Sequence, residues 1–408
     1  MIGAIAGDVI GSIYEHFNNK SKDFPLFSFN SQFTDDTVMT LAVAEALIRS
    51  YPLKDPNEAA FETAECMKKW GNLFPYAGYG GMFMDWLRSS DPKPYNSFGN
   101  GSAMRVSSCP WIYRDDFEKM RAVARATAMP THNHEEGIKG ADAVASAIWL
   151  ALSGKKKDEI KSFIEQEFGY DLSRTLDEIR PDYKMDATCP GSVPEAIIAF
   201  LEGNDFEDVI RGAVSIGGDS DTIAAIAGSI AEAYYGIPES VVKEVRERLT
   251  PEQNYIVDCF IEFRNGQREE AVHKIQSSAD WWLLSLNKNI EHAIDNFNKN
   301  RGQETYTQVI NAIDYNAKWS KLCVIAEAKD PSGQSWVLAA TGIEHVQSEF
   351  LKSVKFIYTR ELFRQLAARN NVFGILINPW SQRFELPFEA VRGLAESWEE
   401  EFTRNGED

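Results

Sequence analysis

Residues 217–235 read GGDSDTIAAIAGSIAEAYY, a glycine pair, then Asp219-Ser220-Asp221-Thr222, then a run rich in alanine. The run favours helix, because alanine gives up no side-chain entropy there. The same order of residue types stands near the start of the chain. Thr34-Asp35-Asp36-Thr37 leads into residues 37–50, where Leu41, Ala44, Leu47 and Ile48 fall near one helical face and Glu45 and Arg49 form an i, i+4 pair beside it. Residues 140–152 are a further alanine-rich helical segment. Before all of these, Gly3, Gly7 and Gly11 recur every four residues, which would let a second helix approach closely. Residues 1–265 therefore read as an all-α domain of helices joined by glycine- and proline-marked loops.

The pattern changes further on. Residues 266–305 read as a helical connector ending in the linker Asn296-Phe297-Asn298-Lys299-Asn300-Arg301-Gly302, with Trp281-Trp282 and Leu283-Leu284 inside it. From 306 to 408 the short apolar runs 323–326, 336–340 and 372–377 predict strands, with a hairpin turn at Pro331-Ser332-Gly333 and a helix over 359–369. The expected fold is an all-α domain followed by a smaller α+β domain.

At 408 residues, with 44% hydrophobic and 25% charged residues, the chain has the composition of a soluble folded protein. Its net charge of −19 argues against a phosphate-backbone binder, so no nucleic-acid partner is expected. Five scattered cysteines without a C-x-x-C pair speak against a disulfide scaffold or zinc knuckle. The opening residues lack a basic, then apolar, leader pattern, and no stretch has the length of a membrane span. The expected location is the cytoplasm, with no membrane partner.

The acidic clusters carry the chemistry. Either one alone matches what an N-capped helix start needs, and Thr34, Asp35 or Asp219 could serve as the cap. Capping takes one oxygen, however, and each cluster supplies two carboxylates and hydroxyls besides. Hard divalent cations take such oxygens, whereas zinc favours the His and Cys that both clusters lack. The implied metal is Mg²⁺, with Mn²⁺ as the alternative. Asp219 and Asp221 are too far around a helix to share a face, so their convergence requires one on the loop or first turn, a freedom that Gly217-Gly218 gives.

Gly99-Asn100-Gly101-Ser102-Ala103-Met104-Arg105 offers close backbone approach to an anion at a helix start, or a plain turn. Thr131-His132-Asn133-His134 reads as structural or ligand-contacting. Pro190-Gly191-Ser192-Val193-Pro194 reads as a loop capping a helix over 195–203, with Glu195 an ordinary first-turn acid. Glu15 reads as either surface charge or a pocket carboxylate.

These blocks in this order, beginning with Gly7-Asp8 and Tyr14-Glu15 and ending with Gly217-Gly218-Asp219-Ser220-Asp221-Thr222, resemble the ADP-ribosylglycohydrolase family over residues 1–265. The resemblance implies an orthogonal helical fold with two Mg²⁺ ions and an ADP-ribose cleft. It implies Thr34, Asp35, Asp36, Asp219, Asp221 and Thr222 as metal ligands. Gly99, Asn100, Gly101, Ser102, Met104, His132 and Ser192 are implied as substrate contacts, and Glu15 as an acid near the scissile bond. The implied activity is removal of ADP-ribose from modified protein side chains, first of all arginine, by metal-activated water attack at the anomeric carbon, with Asp35 or Asp36 accepting the proton. ADP-ribosyl-serine, O-acetyl-ADP-ribose and a non-hydrolytic ADP-ribose binder are the alternatives. A prenyl diphosphate enzyme, also helical and Asp-rich, fits the Gly-Asn-Gly-Ser loop poorly. Residues 306–408, through Trp336–Ala340, Gly374–Pro379, Phe384–Pro387 and Val391, resemble the small domain of the serine-sensitivity-enhancing (SseB-like) family. They hold no catalytic constellation, so partner or substrate recruitment is expected of them.

Overall fold

In the computed structural model the chain divides into two compact units, Met1–Ser277 and Ser278–Asp408. The structure describes residues 1–15, 18–89, 91–277, 293–294, 296–317, 321–329, 335–340, 355–368, 374–377 and 384–404.

The first unit is helical throughout. Its helices are α1 (Ile2–Gly11), α2 (Asp35–Arg49), α3 (Pro56–Leu73), α4 (Gly81–Arg88), α5 (Gly101–Met104), α6 (Cys109–Ile112), α7 (Phe117–Ala128) and α8 (Glu135–Leu152). They continue as α9 (Lys157–Phe168), α10 (Leu176–Ile179), α11 (Cys189–Glu202), α12 (Phe206–Val214), α13 (Ser220–Tyr235), α14 (Glu239–Arg248), α15 (Pro251–Arg264) and α16 (Arg268–Ser277).

At the centre lies α13, packed by α1, α8, α11 and α12 and buried from Ser220 to Glu232. The glycine ladder of α1 faces it. A Cβ on Gly7 would stand 2.1 Å from the Ala224 carbonyl oxygen, so the two backbones touch directly. A hydrogen-only side chain is what this crossing requires, and it explains why every residue of α1 is buried.

The helix expected over 37–50 forms as α2, with Leu41, Ala44, Leu47 and Ile48 buried. The Glu45–Arg49 pair does not. Glu45 is buried, accepting from Lys69 Nζ at 2.7 Å and Trp70 Nε1 at 2.6 Å, while Arg49 pairs with Glu62. Packing of α3 against α2 puts an indole N–H over Glu45, and a fully buried donor needs an acceptor more than the half-buried Arg49 guanidinium does. A second difference lies at α11, which begins at Cys189 instead of residue 195. Thr188 caps it, its hydroxyl accepting from Gly191 N at 3.1 Å, and the helix runs through Pro194 with the loss of one backbone hydrogen bond. Ser192 thus sits in the first turn, and Glu195, expected as an ordinary first-turn acid, lies further along the helix, buried and paired with Arg174 at 2.9 Å.

The division between units falls after Ser277, beyond the expected 265, because α16 packs on α15 and α2 and so belongs to the first core. Trp281-Trp282 and Leu283-Leu284 lie outside the described residues.

The second unit contains α17 (Gln303–Ala317), β1 (Lys321–Lys329), β2 (Ser335–Ala340), β3 (Lys355–Tyr358), α18 (Thr359–Ala367), β4 (Gly374–Ile377), β5 (Phe384–Pro387) and α19 (Phe388–Arg404). Its sheet has the order β3-β1-β2-β4-β5. Strands β1 and β2 pair antiparallel and β2 and β4 parallel, with Trp336 opposite Gly374 and Ala339 opposite Ile377. Val337, Ile375, Ile377, Phe384 and Leu386 pack with Leu362, Phe363 and Val391 into one core, joined by Ile294, Val309 and Ile313 from the expected connector and its neighbour. The expected turn at 331–333 lies outside the described residues. The overall class is a helical domain followed by a smaller α+β domain. Among the described residues, no helix is long and apolar enough to cross a membrane.

Candidate active site, a buried carboxylate cluster

Three elements meet at one point, the middle of α1 and the N-termini of α2 and α13. Asp8, a lone acid in the apolar α1, is wholly buried. Such a group must find donors. Its Oδ2 accepts from the backbone N–H of Thr34 at 2.9 Å and of Thr37 at 3.0 Å, its Oδ1 accepts from the Thr34 hydroxyl at 2.7 Å, and the Thr37 hydroxyl also donates to it. The carboxylate of one helix thereby satisfies the first-turn N–H groups of another, at the end where the helix dipole favours negative charge. Thr34 also caps α2 in its own right, accepting from Asp36 N at 3.3 Å.

At α13 the chain enters through Gly217 and Gly218, with φ of +74° and +67°, a conformation L side chains rarely adopt. Asp219 then sits before the helix and Asp221 in its first turn, the arrangement their convergence required. Asp219 does not cap α13; its Oδ2 accepts from Asn100 Nδ2 at 2.7 Å. Thr222 donates its hydroxyl to Asp36 Oδ2 at 3.0 Å, while Asp36 Oδ1 is buried with no partner.

Two carboxylate trios result. Oxygens of Asp8, Asp36 and Asp221 lie within 4.8 Å of one another, and so do those of Glu15, Asp219 and Asp221. Asp221 belongs to both. Burial and then the neighbouring carboxylates drive Asp36 and Asp221 toward the protonated form. Asp36 is held well above the ordinary range, first by burial and then by Asp221, Asp8, Asp35 and Asp219. Asp221 is raised by burial and by Asp219 and Asp8, and Asp35 is pushed up to about 8 by burial, Asp8 and Asp219. None of the ion pairs among the described residues includes Asp8, Asp35, Asp36, Asp219 or Asp221. Repulsion of this kind is relieved by protons or by a cation.

A profile of the ADP-ribosylglycohydrolase family matches residues 1–272. This chain belongs to that family. Mouse ADP-ribosylhydrolase ARH3 is 29% identical over 321 residues, covering 59% of this chain and 84% of its own. The human protein of the same name is 28% identical, covering 59% and 86%. ADP-ribosylarginine hydrolase Tri1 of Pseudomonas putida (strain GB-1) is 24% identical over 276 residues, covering 60% and 72%. A solved structure described as an ADP-ribosylglycohydrolase-related protein complex aligns with 67% of this chain and 97% of its own, at 23% identity and a TM-score of 0.45. As an ADP-ribosylglycohydrolase, the protein is an enzyme that releases ADP-ribose by hydrolysis.

Within this glycohydrolase the sequence-predicted ligand residues occupy different settings. Asn100 joins two of them, its amide donating to Asp219 and, at 2.9 Å, to Ser192 Oγ. Ser192 in turn donates to the Asp186 carbonyl at 2.7 Å. Gly99 bridges to Thr188, and Gly99 and Gly101 leave their Cα faces open to the His132 ring, whose Nε2 a Cβ would meet at 3.4 and 3.2 Å. Burial and Arg105 hold His132 well below its ordinary pKa, so the ring is neutral, with Nδ1 on the Thr131 hydroxyl at 2.7 Å. Ser102 is turned to the Gly137 carbonyl at 2.6 Å and Met104 is buried, so both side chains belong to the wall behind the loop. Helix α5 is a single turn, too short for much of a dipole. His134 caps α8, its Nδ1 accepting from Glu136 N at 3.1 Å.

Asp8 is the member of the carboxylate cluster that the sequence did not single out as a candidate ligand. Its signal was available, since an unaccompanied acid inside a glycine-spaced apolar helix has to be satisfied from elsewhere. Asp35, an expected ligand, lies outside both trios though inside their field. The donors gathered here are carboxylate and hydroxyl oxygens alone, with one buried oxygen left open, which fits a hard cation.

Proposed function

We propose that the protein is a Mg²⁺-dependent hydrolase, with Mn²⁺ as a substitute, that removes ADP-ribose from modified protein side chains, ADP-ribosyl-arginine first among them. The observation that carries this is the pair of oxygen trios sharing Asp221, with Asp36 Oδ1 unpartnered. Two ions would be held by Asp8, Asp36 and Asp221 and by Glu15, Asp219 and Asp221, with Thr34 and Thr222 beside them. When bound, such ions supply Lewis acidity that eases deprotonation of water near neutral pH. Asp35 lies outside both trios and accepts the proton of the attacking water. Glu15, half-buried at the rim, faces the positive charge that develops on the ribose in an oxocarbenium-like transition state. The Gly99–Gly101 backbone, His132 and Ser192 receive the ADP-ribose. The preference for arginine rests on the likeness to the Pseudomonas relative, an ADP-ribosylarginine hydrolase. The second unit recruits the modified protein. The working compartment is the cytoplasm, in keeping with Cys66, Cys109, Cys189 and Cys259 being free thiols.

The test is product analysis by mass spectrometry over a panel of ADP-ribosyl-arginine, ADP-ribosyl-serine and O-acetyl-ADP-ribose substrates, with Mg²⁺ and with chelator. Release from arginine that needs Mg²⁺ and vanishes in a folded Asp35→Ala, Asp36→Ala double variant is the expected result. Full activity in that variant, or in chelator, refutes the metal reading. On the same panel, a chain ending at Ser277 keeps its activity on small substrates and loses it on modified protein.

A further inference from the structure

The turn that carries Asp219 and Asp221 is built from the two residues with the most conformational freedom, and its backbone groups lie outside α12 and α13. Gly217 and Gly218 are both left-handed, so nothing in their own side chains fixes them. Two side chains from the segment just after Glu15 do. The Lys20 ammonium donates to the carbonyls of Ile216, at 2.5 Å, and of Tyr183, at 2.7 Å. Asn18, itself at a φ of +45°, accepts the Gly218 N–H on its Oδ1 at 3.0 Å. Tyr183 closes the other side, with its ring against Gly218 and its hydroxyl on the Gly191 carbonyl at 2.9 Å. The fit is tight, since a Cβ on Gly217 would meet Asn18 Oδ1 at 2.3 Å and Lys20 Nζ at 3.0 Å.

We propose that Asn18 and Lys20 form a clasp that positions the Gly217–Gly218 turn, and through it Asp219 and Asp221, for cation binding. The clasp rests on the metal reading given above. It places three segments in register. Glu15 leads into the clasp, the turn leads into Asp219 and Asp221, and the Tyr183 segment runs on to Asp186 and Thr188, which hold Ser192 and Gly99. Cation ligands must converge to within a few tenths of an ångström, and a glycine pair released from its clasp would sample many conformations. Lys20 and Asn18 touch no reacting atom; they are positioning residues. A positive charge is also suited to the Ile216 carbonyl, which follows α12 and lies at its negative end.

The experiment measures divalent-cation affinity of the full chain, by calorimetry with Mg²⁺ and by electron paramagnetic resonance with Mn²⁺, alongside melting temperature in chelator. Lys20→Met and Asn18→Gly are expected to weaken cation binding by about tenfold or more, the usual range for groups that orient ligands, with little change in the cation-free melting temperature. Lys20→Arg, which can still donate to both carbonyls, restores most of the affinity. Affinity within twofold of wild type in both variants overturns the assignment. So does a fall in melting temperature with unchanged affinity, which is the mark of a purely structural staple. Should Lys20→Met fail to fold, Asn18→Gly, which removes one hydrogen bond at an exposed residue and keeps its positive φ without strain, decides alone. A wild-type protein that takes up no divalent cation removes the metal reading itself, a different failure from equal affinity in wild type and variants.

Discussion

Replacing Gly7 by alanine puts one methyl group where α1 crosses α13. The new Cβ would lie 2.1 Å from the Ala224 carbonyl oxygen, 2.2 Å from its carbon and 2.5 Å from Ala225 N, against an ordinary contact that begins at 3.4 Å. All three atoms are backbone of a buried helix, so no side chain can swing aside. The helices must part by about 1 Å. Overpacking of this kind costs about 1–3 kcal/mol, and rigid neighbours place Gly7→Ala at the upper end. For a domain of this size that lowers the melting temperature by roughly 6–12 °C. The functional consequence follows from where the proposed ligands ride, Asp8 on α1 and Asp221 on α13. A cation that demands ligand distances near ~2.0–2.1 Å does not tolerate a shift of that size, so cation affinity falls along with stability. Gly393→Ala, in α19 with nothing within 4 Å of its Cβ, is the control and should be neutral or stabilising. Scanning calorimetry and cation titration check the pair. A Gly7→Ala protein melting within a degree or two of wild type, with unchanged affinity, would refute the helix-contact argument.

The cation-free protein should lose stability as pH rises. Asp35 goes from an ordinary 3.8 to about 8 in the fold, so its protonated form contributes fully below the unfolded value and that contribution is lost as pH climbs through about 8. Asp36 and Asp221 are raised in the same sense. Melting temperature in chelator is therefore expected to fall progressively from about pH 4 to about pH 8, where the folded chain holds a proton that the unfolded chain has lost, and to recover with saturating Mg²⁺; a flat profile counts against the cluster's electrostatics. Glu45→Ala leaves the buried Trp70 N–H without its acceptor, which costs about 1–3 kcal/mol, and a denaturant midpoint unchanged from wild type would contradict that role.

What could be read in the chain was what a few neighbouring residues decide. The alanine-rich runs become α8 and α13 and the 37–50 periodicity becomes α2. The four-residue glycine spacing marks a close helix crossing, because propensity and side-chain direction are set within a turn or two. The strand runs in the second unit follow from the same local logic. Thr188 already stood as a cap ahead of Pro190, yet the two prolines drew attention to residue 195, since their cost is local and the packing that outweighs it is not.

The acidic clusters were visible as surplus oxygen at two helix starts, and glycine freedom at 217–218 was enough to expect Asp219 and Asp221 to converge. Which oxygens meet was decided only by tertiary structure. Asp8 enters because α1 lies against α13 and beneath the first turn of α2, and Asp35 stays outside the trios while Glu15 joins one. Glu45 turned from its i+4 neighbour to an indole brought by α3. Sequence sets the donors and the period of each element. The burial that forces a carboxylate to find a partner comes from another element far along the chain, and so the clustering of charge belongs to the fold.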